Sequence, residues 1–134
     1  MAINNSEATE RVIARANQLS RSWKHYYLGI EHFFAAACQL DRSLAEALED
    51  VGVPLSELEE GILEFVPSSD DEPMWDISEK LPETPRYSRL MKTMVPEEAE
   101  SEQALRVEPK HVITAILREG RSVPCRFLIS RDVD

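Results

Sequence analysis

His25, His32, His111, Cys38, Cys125 and Glu31 are the side chains of this sequence with the widest chemical range. Imidazole, thiolate and carboxylate could together hold a transition metal, and a cysteine beside a histidine could act as a nucleophile. The spacing supports neither. No His-Glu-x-x-His or Cys-x-x-Cys occurs, and the adjacent Glu31 and His32 would point about 100° apart on a helix. Cys38 and Cys125 fall in apolar helical patterns and are too few for a disulfide framework, so reduced core packing is expected. His32 and His111 occupy matching helix starts and read as structural histidines bonded to backbone or a capping partner. A Gly-x-x-x-x-Gly-Lys-Ser/Thr phosphate loop does not occur either. The expectation is a chain that is not an enzyme and uses no cofactor or metal.

The elements that would position these residues are helical almost throughout. Ser6 is a suitable N-cap for a helix carrying Val12, Ile13, Ala16, Leu19 and Trp23 at helical spacing. A second helix, with Ile30, Phe33, Phe34, Ala37 and Cys38, is nearly apolar after its first turn, as a central helix should be. A third runs from about Ser43 to a stop at Gly52, and a fourth uses Leu55, Leu58, Ile62, Phe65 and Val66 before Pro67. Residues 67–83 are rich in proline and acid, without periodicity, and read as a linker; Met74 and Trp75 are its apolar exception and a candidate partner contact. The pattern restarts at Thr84-Pro85, an N-cap followed by proline at the first helical position. Pro96 is expected to kink or shorten that helix. Pro109 opens another, with Val112, Ile113, Ile116 and Leu117 expected to be buried, and Ser122 is expected to cap a last short helix.

The 134 residues suit one compact domain, and 43% hydrophobic content supplies a core. Twenty-five acidic against 15 basic side chains give a formal net charge of −10, which argues against nucleic acid, whose phosphates need clustered cations. Residues 57–83 carry nearly all of the imbalance; the segments on either side are close to neutral. If that acidic stretch steers a basic partner, binding should weaken as salt rises; otherwise it is a solvated spacer. No signal peptide opens the chain and no apolar run approaches the ~18 residues of a membrane span, so a cytoplasmic protein is expected, or a stromal one if a plastid transit peptide has been removed.

An internal repeat organises all of this. An offset of 78 lays Ser6 on Thr84, Arg11 on Arg89, Val12 on Leu90 and Ile13 on Met91. An offset of 79 lays His32 on His111, Phe33 on Val112 and Phe34 on Ile113. The expected fold is all-α, two pseudo-symmetric repeats of about four helices packed as one bundle. Repeat one covers 4–66, the linker 67–83 and repeat two 84–134, within a single domain over 1–134. The sequence stops where a fourth helix of repeat two would begin, so the expectation is either a chain cut at that point or a reduced second repeat.

An N-capped helix, then His25-Tyr26-Tyr27-Leu28-Gly29-Ile30-Glu31-His32, an apolar helix and a helix closing in Val51-Gly52-Val53 resemble the Clp N-terminal repeat domain. Thr84-Pro85-Arg86, Lys110-His111-Val112-Ile113 and Leu117-Arg118-Glu119-Gly120 carry the resemblance through the second half. It implies a pseudo-twofold helical bundle that presents substrates or adaptors to a Clp ATPase–protease. In some members each repeat binds a phosphorylated arginine through the motif glutamate and the hydroxyl of the first helix. Carried over, the candidate phosphoarginine or peptide sites are Ser6 with Glu31 and Thr84 with Lys110; the lysine departs from the pattern, since it repels a guanidinium. The implied partners are Clp ATPase or protease subunits and adaptor or substrate proteins. The alternative is a stand-alone accessory subunit that docks on a Clp complex and regulates its assembly. The oligomeric state is left open.

Overall fold

The computed structural model describes residues 4–68 and 81–133, and among these the regular structure is entirely helical. Repeat one contributes α1 (Glu7–Ser22), α2 (Ile30–Leu40), α3 (Arg42–Asp50) and α4 (Leu55–Phe65). Repeat two contributes α5 (Pro85–Arg89), a π-helical turn (Leu90–Met94), α6 (Val95–Ser101), α7 (Pro109–Glu119) and α8 (Val123–Ser130). Met74 and Trp75 lie outside the described residues.

Local chemistry sets most of the boundaries. Ser6 Oγ accepts from the Thr9 amide and Thr84 Oγ1 from the Tyr87 amide, each satisfying an orphan N–H of a first turn. Asp41 Oδ1 caps α3 through the Ser43 and Leu44 amides. Gly52 and Gly120 both adopt positive φ just after a helix, where a Cβ would be strained. Pro96 does not end the helix, which continues through the π-helical turn into α6. Its ring would collide with the carbonyl four residues back, and the chain widens instead, with the Val95 amide reaching Leu90 O five residues away. Ser122 holds the N-cap position of α8 but makes no capping bond. Pro124, at the second helical position, has removed one of the two amides such a cap would serve.

α2 is the centre of the bundle. Every residue from Ile30 to Cys38 is buried, and the helix packs against α1, α3, α4, α7 and α8. The repeats meet at close range where α4 crosses α8: a Cβ built on Gly61 would lie 2.1 Å from the Phe127 ring, so only glycine allows this approach. On α7, Leu117 is half-exposed rather than buried. Its counterpart at the offset of 79, Cys38, is 1% exposed, so the two positions differ in burial between the repeats.

Two short backbone pairings join the halves, and they cross. Asn5, ahead of α1, bridges Val107, ahead of α7; Glu83, ahead of α5, bridges Leu28, ahead of α2. Ser6 N donates to Val107 O and Val107 N to Asn4 O, while Thr84 N donates to Leu28 O and Leu28 N to Pro82 O. The offsets of 78 and 79 convert one set into the other. Each repeat therefore lays the lead-in of its first helix beside the lead-in of the other repeat's second helix.

Candidate functional site

That crossing decides which residues share a site. Glu31, at the second position of α2, lies in the same pocket as Thr84, the cap of α5. The site residues named from the sequence were grouped within repeats; the backbone pairs them across repeats. Ser6 is instead tied to Val107, with its hydroxyl spent on Thr9. Lys110 lies 2.9 Å from Glu102, whose carboxyl it holds below the usual carboxylate range, and it borders a separate groove beside Leu40 and Asp41.

The histidines are committed to structure. His32 Nδ1 accepts from the Gly29 amide at 3.0 Å, so its proton is on Nε2, which faces His25 Nδ1 at 2.7 Å. His25 must then carry its own proton on Nε2, donated to Val66 O at 2.8 Å. This chain of donors fixes the α1–α2 connection to the end of α4. Burial lowers the pKa of both rings, that of His32 to about 3, and the neighbouring His25 adds to the lowering of His32. In repeat two, His111 Nδ1 accepts from the Glu108 amide at 2.8 Å, the same local bond. Cys38 and Cys125 are both buried free thiols, and burial pushes Cys38 up to about 12.

Glu31 is turned inward. Its carboxyl lies over Gly29, where a Cβ would meet Oε1 at 2.0 Å, and it accepts from the Tyr27 hydroxyl. Burial raises its pKa, opposed by Arg126 and Arg86. The glycine of the motif is there to make room for the glutamate.

The pocket, of about 290 Å³, is lined by Glu31, Thr84, Arg86, Arg121, Ser122 and Arg126 among others. Arg86 shares its charge with Glu119 at 2.7 Å, and Arg126 stacks over Phe65 at 5.4 Å from the ring centroid. From the sequence Arg86 reads only as part of the repeat motif and Ser122 only as a helix cap; neither they nor Arg121 and Arg126 are site candidates there. A signal was available: Arg86 and Arg126 stand at the second position of α5 and the fourth of α8, where α1 and α3 carry Ala8 and Ala45. The repeat has diverged at these positions.

Crossed helical repeats around a surface pocket, with both thiols buried and His25 and His32 bonded through both ring nitrogens, define an all-α double-repeat domain. The family described as the Clp repeat (R) N-terminal domain matches residues 4–130, and the chain belongs to that family. Domains of this family are found in Clp ATPase chaperones and are generally protein-interaction modules. The fold of the chain is similar to the crystal structure of the N-terminal domain of the caseinolytic protease associated chaperone ClpD from Arabidopsis thaliana. That match has a TM-score of 0.77 at 14% identity and covers 100% of this chain and 89% of that one. Among the described residues no helix is long and apolar enough to cross a membrane.

Proposed function

We propose that this chain recognises substrate or adaptor proteins for a Clp ATPase–protease, with the pocket between α2, α5 and α8 as its contact. The single observation that carries the reading is the convergence of Glu31 and Thr84 on one pocket. Both belong to the motif that the family resemblance links to ligand binding, and the backbone pairing of Leu28 with Glu83 brings them to one pocket. In this reading residues 1–134 act as a single domain.

The test is fluorescence anisotropy of a labelled, permanently unfolded carboxymethylated protein titrated with the full chain. Saturable binding that is lost in Val123→Trp, which fills the pocket mouth, is the expected result. Binding unchanged by that substitution, with the helical circular dichroism retained, would overturn the assignment.

A second reading is supported by a different surface. A groove of about 700 Å³ runs past Val12, Ala37 and Leu40, with Arg11, Arg42 and Lys110 on its rim, and Leu40 is 54% exposed. Asp41 and Glu108 also line the groove, and an apolar floor with a rim of mixed charge suits docking on a Clp ATPase or protease subunit. Co-elution of the chain with the purified subunit in the absence of any substrate, abolished by Leu40→Asp, is the outcome that separates docking from substrate recognition.

A further inference from the structure

We propose that the groove between α3 and α7 receives an amphipathic helix of a partner protein, seated as α4 is seated in repeat one. This face is separate from the pocket between α2, α5 and α8, and the inference does not depend on the reading of that pocket.

Repeat one shows what such a groove holds. α4 packs against α2 and α8 and runs antiparallel to both. Near its start Glu59 Oε1 accepts from Gln39 Nε2 at 2.6 Å, at the end of α2, and Glu57 Oε2 from Arg131 Nη1 at 2.9 Å, just past the end of α8. Val66, just past its other end, is tied through His25 to His32 in the first turn of α2. The seated face of α4 is Leu58, Gly61 and Ile62, all buried, with Gly61 against the Phe127 ring.

The equivalent groove of repeat two stands open. The offset of 79 lays α2 on α7. An offset of 80 lays α3 on α8: Val53 N donates to Leu48 O as Val133 N does to Leu128 O, and Gly52 and Asp132 share positive φ. A cleft of about 300 Å³ separates α3 from α7, lined by Ser43, Leu44, Ile113 and Thr114 among others. Ala35, Cys38 and Phe127 are 0%, 1% and 3% exposed, whereas their counterparts Thr114, Leu117 and Ala47 are exposed, Leu117 at 52%. Val51, in the place of Arg131, is 53% exposed. Leu44, Ala47 and Val51 recur at helical spacing along α3, and Ile113 and Leu117 along α7. Two such stripes flanking a cleft suit the apolar face of a third helix.

The differences between the two grooves define the occupant. Phe127 admits only glycine opposite it, but Ala47 leaves space for a large side chain. Arg131 pairs with Glu57, but Val51 calls for an apolar residue there. The incoming helix therefore carries bulky apolar groups where α4 has Glu57 and Gly61, one turn apart, beside those matching Leu58 and Ile62. α4 of a second copy lacks both groups, and its end is held by its own His25. Repeat two also lacks that tether, since Ala104 stands where repeat one has His25. Seating then rests on apolar contact, which salt does not screen.

The test titrates the full chain into two labelled peptides of residues 53–66, one natural and one carrying Glu57→Leu and Gly61→Leu. Anisotropy should show the substituted peptide binding at least about tenfold tighter than the natural one, with little change as salt rises. Leu117→Asp and Ala47→Asp in the chain, with helical circular dichroism retained, should each weaken binding at least about tenfold, and Val123→Trp should leave it unchanged. Leu117→Cys should react readily with a maleimide in the chain alone and slowly once the peptide is bound. Equal binding of the two peptides, or binding unaltered by Leu117→Asp and Ala47→Asp, would overturn the proposal. Slow labelling of Leu117→Cys without peptide would also overturn it, because the chain would already fill the groove. A dimer in sedimentation that Leu117→Asp disperses would assign the groove to a second copy and overturn it as well. If neither peptide binds while the unfolded protein still binds in a Val123→Trp-sensitive way, the helix groove fails and the pocket reading stands.

Discussion

His32 and His25 form a one-directional proton chain: the Gly29 amide dictates the tautomer of His32, and His32 dictates that of His25. Neither ring can take a second proton without losing one of these bonds. Both pKa values are lowered in the fold, so between the unfolded value of 6.5 and the folded one the unfolded chain binds more protons. Stability is therefore present above 6.5 and falls as the pH drops, by about 1.4 kcal/mol per pH unit for each histidine held neutral, down to about 3 for His32. Glu31 acts in the opposite sense, because its raised pKa favours the folded state at low pH and that contribution fades as pH rises through the folded value. Urea unfolding of the wild type and His32→Asn at several pH values isolates the histidine part. The variant, which keeps an acceptor for Gly29 but does not titrate, should show the shallower acid slope.

Gly29 and Glu31 should prove coupled. Gly29→Ala places a methyl 2.0 Å from Glu31 Oε1 and 3.2 Å from the Tyr27 ring, an overpacking expected to cost about 1–3 kcal/mol. In a Glu31→Ala background most of that cost should disappear. The measurement is a double-mutant cycle by denaturant unfolding, and additive costs would show that the glycine serves another purpose.

The α4–α8 crossing has a different sensitivity. Gly61→Ala meets the Phe127 ring at 2.1 Å, and that ring is 3% exposed and unable to swing into solvent. Thermal unfolding should show Gly61→Ala destabilised by about 1–3 kcal/mol and Phe127→Leu relieving part of it.

Corresponding positions on α2 and α7 should respond oppositely to a polar group. Cys38→Gln buries an amide at a site 1% exposed and should cost at least about 2 kcal/mol, whereas Leu117→Gln, at a site 52% exposed, should stay within about 0.5 kcal/mol. Similar costs at both would mean that Leu117 is covered in solution.

These positions also show how far the sequence could be read. Ser6, Thr84, Gly52 and Gly120 act on their own helices, and their roles follow from residue type and place. The buried α2 follows from its unbroken apolar run, and the pseudo-symmetry from the offsets. What local pattern did not convey is contact between distant segments. Pairing Glu31 with Thr84 depends on the Leu28–Glu83 bridge, and no periodicity within one repeat reports it. The exposure of Leu117 likewise depends on which distant elements pack against α7. Pro96 was read for its clash, but the clash leaves open whether a helix breaks or widens.

Amide chemical-shift mapping of the isotopically labelled chain, titrated with the unfolded carboxymethylated protein, locates the surface that a protein partner contacts. With binding at the pocket between the crossed repeats, the largest shifts should fall on Tyr27 to Glu31, Thr84 to Arg89 and Arg121 to Arg126, with Ser6 and Lys110 little changed. Shifts concentrated around Leu40, Asp41 and Lys110 instead, with the Glu31–Thr84 pocket silent, would contradict it.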